Sequence, residues 1–327
     1  MRIASKAFLF TLALLLGLEL IARTVFSDSF VGRFDYGYHP TTGFVEQPEK
    51  VVLRSMGGRK FWTQEFARHK PAGGIRIFTI GDSVSRGKGL KYAYPWYLGE
   101  LLRARGYQAE SLNLSSNGYG VRRRMVVLEQ ALKFRPDLII LHLNDSNEFE
   151  DEREWRRAQE AKSWHPDHWF MKSYVIARLN EAKTEQLFWK LPRQIRSTNE
   201  VDDHDAELAA EQNAEMVARW QQLFRDKTTE TVRLARHHGV PVLLISMATL
   251  DSGKTVLHDY GQDQFANSLV GPGVATASTR MVFAPYPRPA EYFVDGTHWS
   301  PEGHQIMADA LLPLVLKVVS GTREPTK

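Results

Sequence analysis

The sequence contains no cysteine. That excludes disulfide staples, thiolate metal ligands and a thiol nucleophile, while leaving the compartment open. Neither sign of charge dominates. Against 42 Lys and Arg stand 38 Asp and Glu, and the net charge of +4 is too small to mark nucleic acid or an acidic polymer as a partner. There are no internal repeats and no low-complexity tract. The helix-borne zinc pattern His-Glu-x-x-His is missing, and so is Gly-x-Ser-x-Gly, the nucleophile elbow of the α/β-hydrolase fold. What remains is a chain of 327 residues, 43% apolar and 24% charged, with globular proportions and length enough for a sizeable core.

Long apolar runs are scarce too, and the one that occurs is informative. Residues 7–26, AFLFTLALLLGLELIARTVF, follow Arg2 and Lys6. A membrane span takes about 20 mostly apolar residues. The run is apolar on every face, unlike the amphipathic helix of a soluble core. Glu19 and Arg23 stand in the favourable helical order. No small-x-small cleavage site follows, so residues 1–26 read as an uncleaved signal anchor rather than a secretory signal removed from a secreted protein. The basic N-terminal segment then stays cytoplasmic, and the rest of the chain faces the extracytoplasmic, periplasmic side.

Residues 27–74 are irregular and read as a juxtamembrane linker with short strands, closed by Pro71-Ala72-Gly73-Gly74. From 75 to 320 strands and helices alternate. Strands are predicted at Ile75–Ile80, Ala109–Leu114, Leu138–Leu143 and Val240–Ser246, with a fifth at Met281–Ala284. Helices are predicted at Tyr94–Arg105, Val121–Phe134, from about Ala206 to His238, and at Pro301–Val319. Apolar strands between helices mean a parallel sheet covered on both faces, a three-layer α/β/α sandwich. Residues 146–204 are too long for an ordinary connection. They read as a helical insertion, its Trp155, Trp164, Trp169 and Trp189 serving as core rather than as a ligand platform. Residues 321–327 form a tail.

In such a sheet, ligands bind where the strands end. Four polar blocks fall there: Gly81-Asp82-Ser83, Asn113 to Gly118, His142 to Asp145, and Asp295-Gly296-Thr297-His298 before the last helix. A serine hydroxyl becomes a nucleophile when a histidine takes its proton, and the histidine needs a carboxylate to fix its tautomer. Asp295 and His298 are close enough in sequence for that carboxylate to reach the ring. A developing oxyanion needs fixed donors. The candidates are the backbone N–H groups of Ser83 and Gly118 and the side-chain amide of Asn144; glycine at 118 lets substrate approach the backbone. Asp82 and Asp145 flank these groups as supporting acids. Taken singly, Ser83 reads as a helix cap, and Asn144-Asp145 and Asp295-Gly296 as turns. Together, and in this order, they read as a site.

The four blocks resemble the SGNH, or GDSL, hydrolase superfamily over roughly residues 75–318. The resemblance implies a flavodoxin-like parallel sheet and serine esterase chemistry without a cofactor or metal. It implies Ser83 as nucleophile, His298 as base and Asp295 as its orienter, with Ser83, Gly118 and Asn144 forming the oxyanion hole. Two positions depart from the family pattern. Val84 replaces a common leucine, and His142 stands where the third block often has glycine, which bears on the width of the pocket beside Asn144. Asp295, His298 and His304 do not read as metal ligands, because the two histidines share no helical face; His304 reads as packing at the start of the last helix. Arg122-Arg123-Arg124 reads as a solvated helix face, not a nucleic-acid surface. The expectation is an anchored esterase whose partners are the membrane and an ester substrate, ranked as an acetylated envelope carbohydrate ahead of a lipid ester. An O-acyltransferase with the same triad and a non-catalytic membrane scaffold are the alternatives.

Overall fold

The structure is a computed structural model that describes residues 2–25, 43–54, 61–145, 203–251 and 255–321, with Gly253 and isolated residues between 147 and 176. Most of the expected insertion over 146–204 lies outside the described residues, with Trp164, Trp169 and Trp189; so do residues 26–42 and those beyond 321. The chain divides into two compact units, Met1–Pro40 with Arg153–Ala214, and Thr41–Glu152 with Glu215–Lys327.

In the first unit, α1 (Arg2–Val25) contains one stretch, Lys6–Thr24, long and apolar enough to cross a membrane. Phe8, Phe10, Leu16 and Leu20 are all exposed along it, as suits a helix surrounded by apolar material. Near its end Glu19 accepts hydrogen bonds from Arg23 Nε at 2.8 Å and from the Ser173 hydroxyl at 2.7 Å.

The second unit opens with an antiparallel sheet of β1 (Gly43–Glu46), β2 (Lys50–Arg54) and β3 (Gln64–Ala67). Its aromatic face packs on the main domain. Phe44 stacks on Phe134 at 5.5 Å between centroids, and Phe66 meets Phe78 edge-on at 5.4 Å. The main sheet holds β4 (Ile75–Ile80), β5 (Ala109–Asn113), β6 (Leu138–Leu143), β7 (Val242–Ser246) and, after a small hairpin of β8 (Thr249–Leu250) and β9 (Leu257–His258), β10 (Val274–Ser278). Every pairing in it is parallel, in the order β10-β7-β6-β4-β5. The helices are α2 (Ser83–Arg86), α3 (Tyr94–Ala104), α4 (Val121–Leu132), α5 (Asp203–His237), α6 (Gln262–Ser268), α7 (Thr279–Phe283) and α8 (Pro301–Gly321). The central strands are buried on both faces, which is why they read as unbroken apolar runs. Ile75, Ile77, Leu138, Ile140, Leu243 and Ile245 point to one side, into a core shared with Leu98 and Leu102 of α3 and Leu311 and Val315 of α8. This is the flavodoxin-like α/β/α sandwich. The strand order reverses between β4 and β6, and the crevice at such a switch point is where open α/β sheets bind ligands.

The fifth strand is Val274–Ser278, not Met281–Ala284. The Ser278 hydroxyl accepts the N–H of Met281 and caps α7, so the short apolar run that follows turns helical. A run of that length has no period to separate strand from helix. The true strand, VATAS, is made of small residues and sits at the sheet edge.

Candidate active site

β4 and β6 deliver their last residues side by side at the switch point, with Ile80 in register with Leu141. Beyond β4, Asp82 adopts an extended conformation and caps α2, its carboxylate accepting the N–H of Val84 at 3.0 Å. That cap places Ser83 in the first turn of α2. Gly81 has no room for a side chain: a Cβ there would lie 2.1 Å from Ser85 Oγ and 2.9 Å from the His142 Cβ. Its glycine therefore serves the close approach of β4, α2 and β6.

The opposite wall is a tight loop ahead of α8. Phe293 and Trp299 form a β-bridge, Val294 N–H donates to His298 C=O at 2.8 Å, and Ser300 N–H donates to Tyr292 C=O at 2.8 Å. Trp299 anchors the loop in the core beside Phe283, Tyr94 and His142. At the loop tip the Asp295 Oδ1 accepts the N–H groups of Thr297 and His298, both at 2.7 Å, and its Oδ2 lies 2.8 Å from His298 Nδ1. His298 Nε2 lies 2.9 Å from Ser83 Oγ. Residues 215 positions apart are thus in hydrogen-bond contact.

The electrostatics suit proton transfer. The hydrogen bond to Asp295 raises the His298 pKa above its usual 6.5, outweighing burial, and the charges of Asp295 and Asp82 add to the effect. For Asp295, burial is opposed by the bonds from the His298 ring and from the His298 and Thr297 backbone, and the balance holds its carboxyl well below the usual range. The nearby histidines behave differently. Burial lowers His142 to about 4 and His304 to about 3, so both are neutral at pH 7. His304 packs at the start of α8 and accepts the Tyr94 N–H at 3.3 Å. His142 turns its ring into the core against Trp299 and Tyr94.

The remaining expected residues fall into two groups. Gly118 sits in the turn after β5 with φ of 66°, the left-handed region that glycine enters without strain. Asn144 is buried at the end of β6, and its side-chain amide donates to Asp82 Oδ2. Asn147 donates to the same oxygen at 3.1 Å. Asp145 is set apart from this group. It lines a small surface depression with Gln221, Arg225, Tyr260, Gln262 and Phe265, and burial raises its pKa.

Arg123 and Arg124 are not on a solvated face. They are 3% and 1% exposed, and Arg122 pairs with Glu152 at 2.6 Å. They fall on the same stripe of α4 as the buried Val127, Leu128 and Ala131, a helical spacing that was open to view in the sequence. Arg123 pairs with the wholly buried Asp151 at 2.9 Å. Arg124 donates to Tyr119 C=O through Nη2 at 2.9 Å and to Asn144 C=O at 2.6 Å, with Asp82 at 3.8 Å. One guanidinium thereby ties the residue after Gly118, the backbone of Asn144 and the carboxylate before Ser83. Glu148 and Asp151 complete the cluster by accepting the first N–H groups of α4, those of Val121 and Arg123. Among the described residues no three His, Cys, Asp or Glu side chains converge as a metal site requires.

A family model described as GDSL-like lipase/acylhydrolase matches residues 77–311. No curated protein sequence matches the chain. Among solved structures, it is similar to TesA at 14% identity, covering 74% of this chain and 99% of that one with a TM-score of 0.43. It is similar to the acetyl xylan esterase AlAXEase at 14% identity, covering 74% and 100% with a TM-score of 0.45. It is also similar to Axe2, an acetylxylan esterase from Geobacillus stearothermophilus, at 15% identity, covering 77% and 97% with a TM-score of 0.42.

Proposed function

The chain belongs to the GDSL-like lipase/acylhydrolase family, and from that premise we propose that it is a membrane-anchored serine esterase acting on an acylated envelope carbohydrate, with its catalytic unit outside the cytoplasm. The observation that supports this reading is the 2.9 Å contact between Ser83 Oγ and His298 Nε2, continued at 2.8 Å from His298 Nδ1 to Asp295. His298 takes the hydroxyl proton as Ser83 Oγ bonds to the ester carbonyl carbon. Asp295 holds the other ring nitrogen protonated and stabilises the imidazolium. The carbonyl electron pair moves onto oxygen, where the N–H groups of Ser83 and Gly118 and the Asn144 amide receive it. Collapse breaks the ester C–O bond, and the leaving alkoxide takes the proton from His298. Water, deprotonated by His298, then cleaves the acyl-Ser83 ester and regenerates the enzyme.

The exposed apolar helix α1 supports the anchored placement. The test is turnover of p-nitrophenyl acetate by the full chain in detergent micelles. Ser83→Ala is expected to remove essentially all of it while leaving the melting temperature within a few degrees. Equal rates for the two proteins would refute Ser83 as nucleophile. No turnover by the wild type across short and long acyl chains would favour the scaffold reading.

A further inference from the structure

Inside the apolar stretch Lys6–Thr24 of α1 stands one carboxylate, Glu19. A charge within a span is costly unless it is paired and turned away from lipid. Both of its oxygens are engaged. Oε1 accepts Arg23 Nε at 2.8 Å, and Oε2 accepts the Ser173 hydroxyl at 2.7 Å and the Val175 N–H at 3.4 Å. The Ser173 hydroxyl in turn accepts the N–H of Ile176 at 3.2 Å, and Val175 and Ile176 are helical. These opening N–H groups of the turn are thereby satisfied within the chain, as an apolar surrounding demands. Glu19, Ser173, Val175 and Ile176 all fall in the first compact unit.

The contact fixes a level. Leu18, Leu20 and Ile21 flank Glu19 and are 44%, 65% and 59% exposed, so the helix presents apolar surface at this height. Among the described residues of the stretch only Ala22, one turn from Glu19, is buried. Glu19 precedes Thr24, the end of the stretch, by five residues, a depth of about 7–8 Å at the helical rise per residue. Groups bonded to its carboxylate share that depth to within the length of a side chain. Helices that lie in the membrane interface sit about 5–10 Å deep. Ile176 presents an aliphatic side chain, 39% exposed, at this level. In the sequence Trp169, Phe170 and Tyr174 stand close by, and Trp and Tyr collect where membrane meets water. The exposed apolar surface runs along α1 from Phe8 to Ile21, which lipid covers without any matching partner surface.

We propose that the chain returns to the bilayer at Ser173–Ile176, between β6 and α5, and docks there on Glu19 as a second, shallow foot in contact with lipid. The inference rests on the anchored reading of α1 and makes no use of the esterase chemistry. Because the sequence holds no cysteine, a single nitroxide label can be placed at Ile176→Cys in the full chain, reconstituted in vesicles of phosphatidylcholine and phosphatidylglycerol. Labels at Leu14→Cys in α1 and at Lys133→Cys, an exposed residue of the second unit, give the lipid and water references. Collision with dissolved oxygen, which concentrates in lipid, is compared with collision with a water-soluble nickel chelate. The oxygen-to-nickel ratio at Ile176 is expected to exceed that at Lys133 severalfold. Glu19→Leu leaves α1 more apolar and able to span, and should bring the Ile176 ratio down toward the water reference. A ratio at Ile176 equal to that at Lys133 overturns the foot, while a Leu14 label shielded from nickel keeps the anchored reading; a Leu14 label open to nickel overturns both. Weak collision with both reagents at Ile176 means that protein, such as a second copy of this chain, covers it, and also overturns the foot. A ratio unmoved by Glu19→Leu overturns the docking on Glu19.

Discussion

Replacing Arg124 with Met tests whether the buried charge cluster holds the reacting loops in place. Met keeps most of the side-chain volume and removes the guanidinium. Lost with it are the donations to Tyr119 C=O at 2.9 Å and Asn144 C=O at 2.6 Å, each a charged-donor bond of about 1.5–3 kcal/mol. Asp82, which is wholly buried, also loses its cation at 3.8 Å. Breaking a buried pair by removing one partner costs about 3–5 kcal/mol. The two estimates describe overlapping interactions, so the expected loss is about 3–5 kcal/mol in all. Domains have about 5–15 kcal/mol to lose, and the variant should fold with its melting temperature about 6–20 °C lower, at 2–4 °C per kcal/mol. The catalytic effect is separable from this. Arg124 fixes the carbonyl next to Gly118 and that of Asn144, so its removal loosens two of the three proposed oxyanion donors. Loss of one such donor lowers kcat by about 10²–10³, and kcat for p-nitrophenyl acetate should fall by at least that factor, measured well below the new melting temperature, with KM little changed.

The control is Asp82→Asn, alone and combined with Arg124→Met. Asparagine can still cap α2, and the double variant carries no unpaired charge. It should be more stable than the sum of the single losses predicts, by about 1–3 kcal/mol. Additive losses, or an Arg124→Met protein with its melting temperature within 2 °C and its kcat unchanged, would refute the clamp.

Two further outcomes follow from the titrating groups. Because the bond to Asp295 raises His298 above 6.5, and only the neutral ring accepts the Ser83 proton, the acidic limb of kcat/KM should lie above pH 6.5. Asp295→Asn should shift that limb downward and cost about 10⁴-fold in kcat; a limb that stays in place would contradict the assigned role. Burial raises Glu148 from 4.5 to about 8, Asp151 adding and Arg124 opposing. Between those values the unfolded chain has released a proton that the native state keeps, so native stability declines as pH rises through the window. Urea titrations at pH 5 and pH 8 should show that decline in the wild type and a smaller one in Glu148→Gln.

The alternation of apolar strands with helices made the sandwich legible, because strands buried on both faces must be apolar throughout. The catalytic candidates were legible for a different reason. Each stands at a strand end or before α8, where topology alone brings distant residues together, and the Ser83, His298 and Asp295 side chains lie in hydrogen-bond contact. What was hidden depends on tertiary partners. A run of three arginines looks solvated until Asp151, Glu152 and two backbone carbonyls are known to face it. Asp145 looks like a companion of Asn144, yet neighbours at a strand end point to opposite sides, and it lines a small surface depression. VATAS carries too little apolar content to stand out as a strand until its pairing with Val242–Ser246 is seen.

The exposure of the proposed triad bears on where the acyl group would go. The Asp295 and His298 side chains are 55% and 40% exposed, while Asp82 and Asn144 behind Ser83 are buried. The stabilising side of the site is dry and the proton-transfer side is wet. A transferase must keep water from the acyl-enzyme and orient an alcohol in its place. A base open to solvent meets water at roughly its bulk concentration, and a sugar hydroxyl can compete only through binding at a subsite. Hydrolysis should therefore dominate. With p-nitrophenyl acetate as donor, free acetate is expected to remain the main product when xylotriose or chitotriose is added. Acylated sugar as the main product at millimolar acceptor would overturn this argument, because it would require the acceptor to displace water from His298 far more effectively than an open base permits.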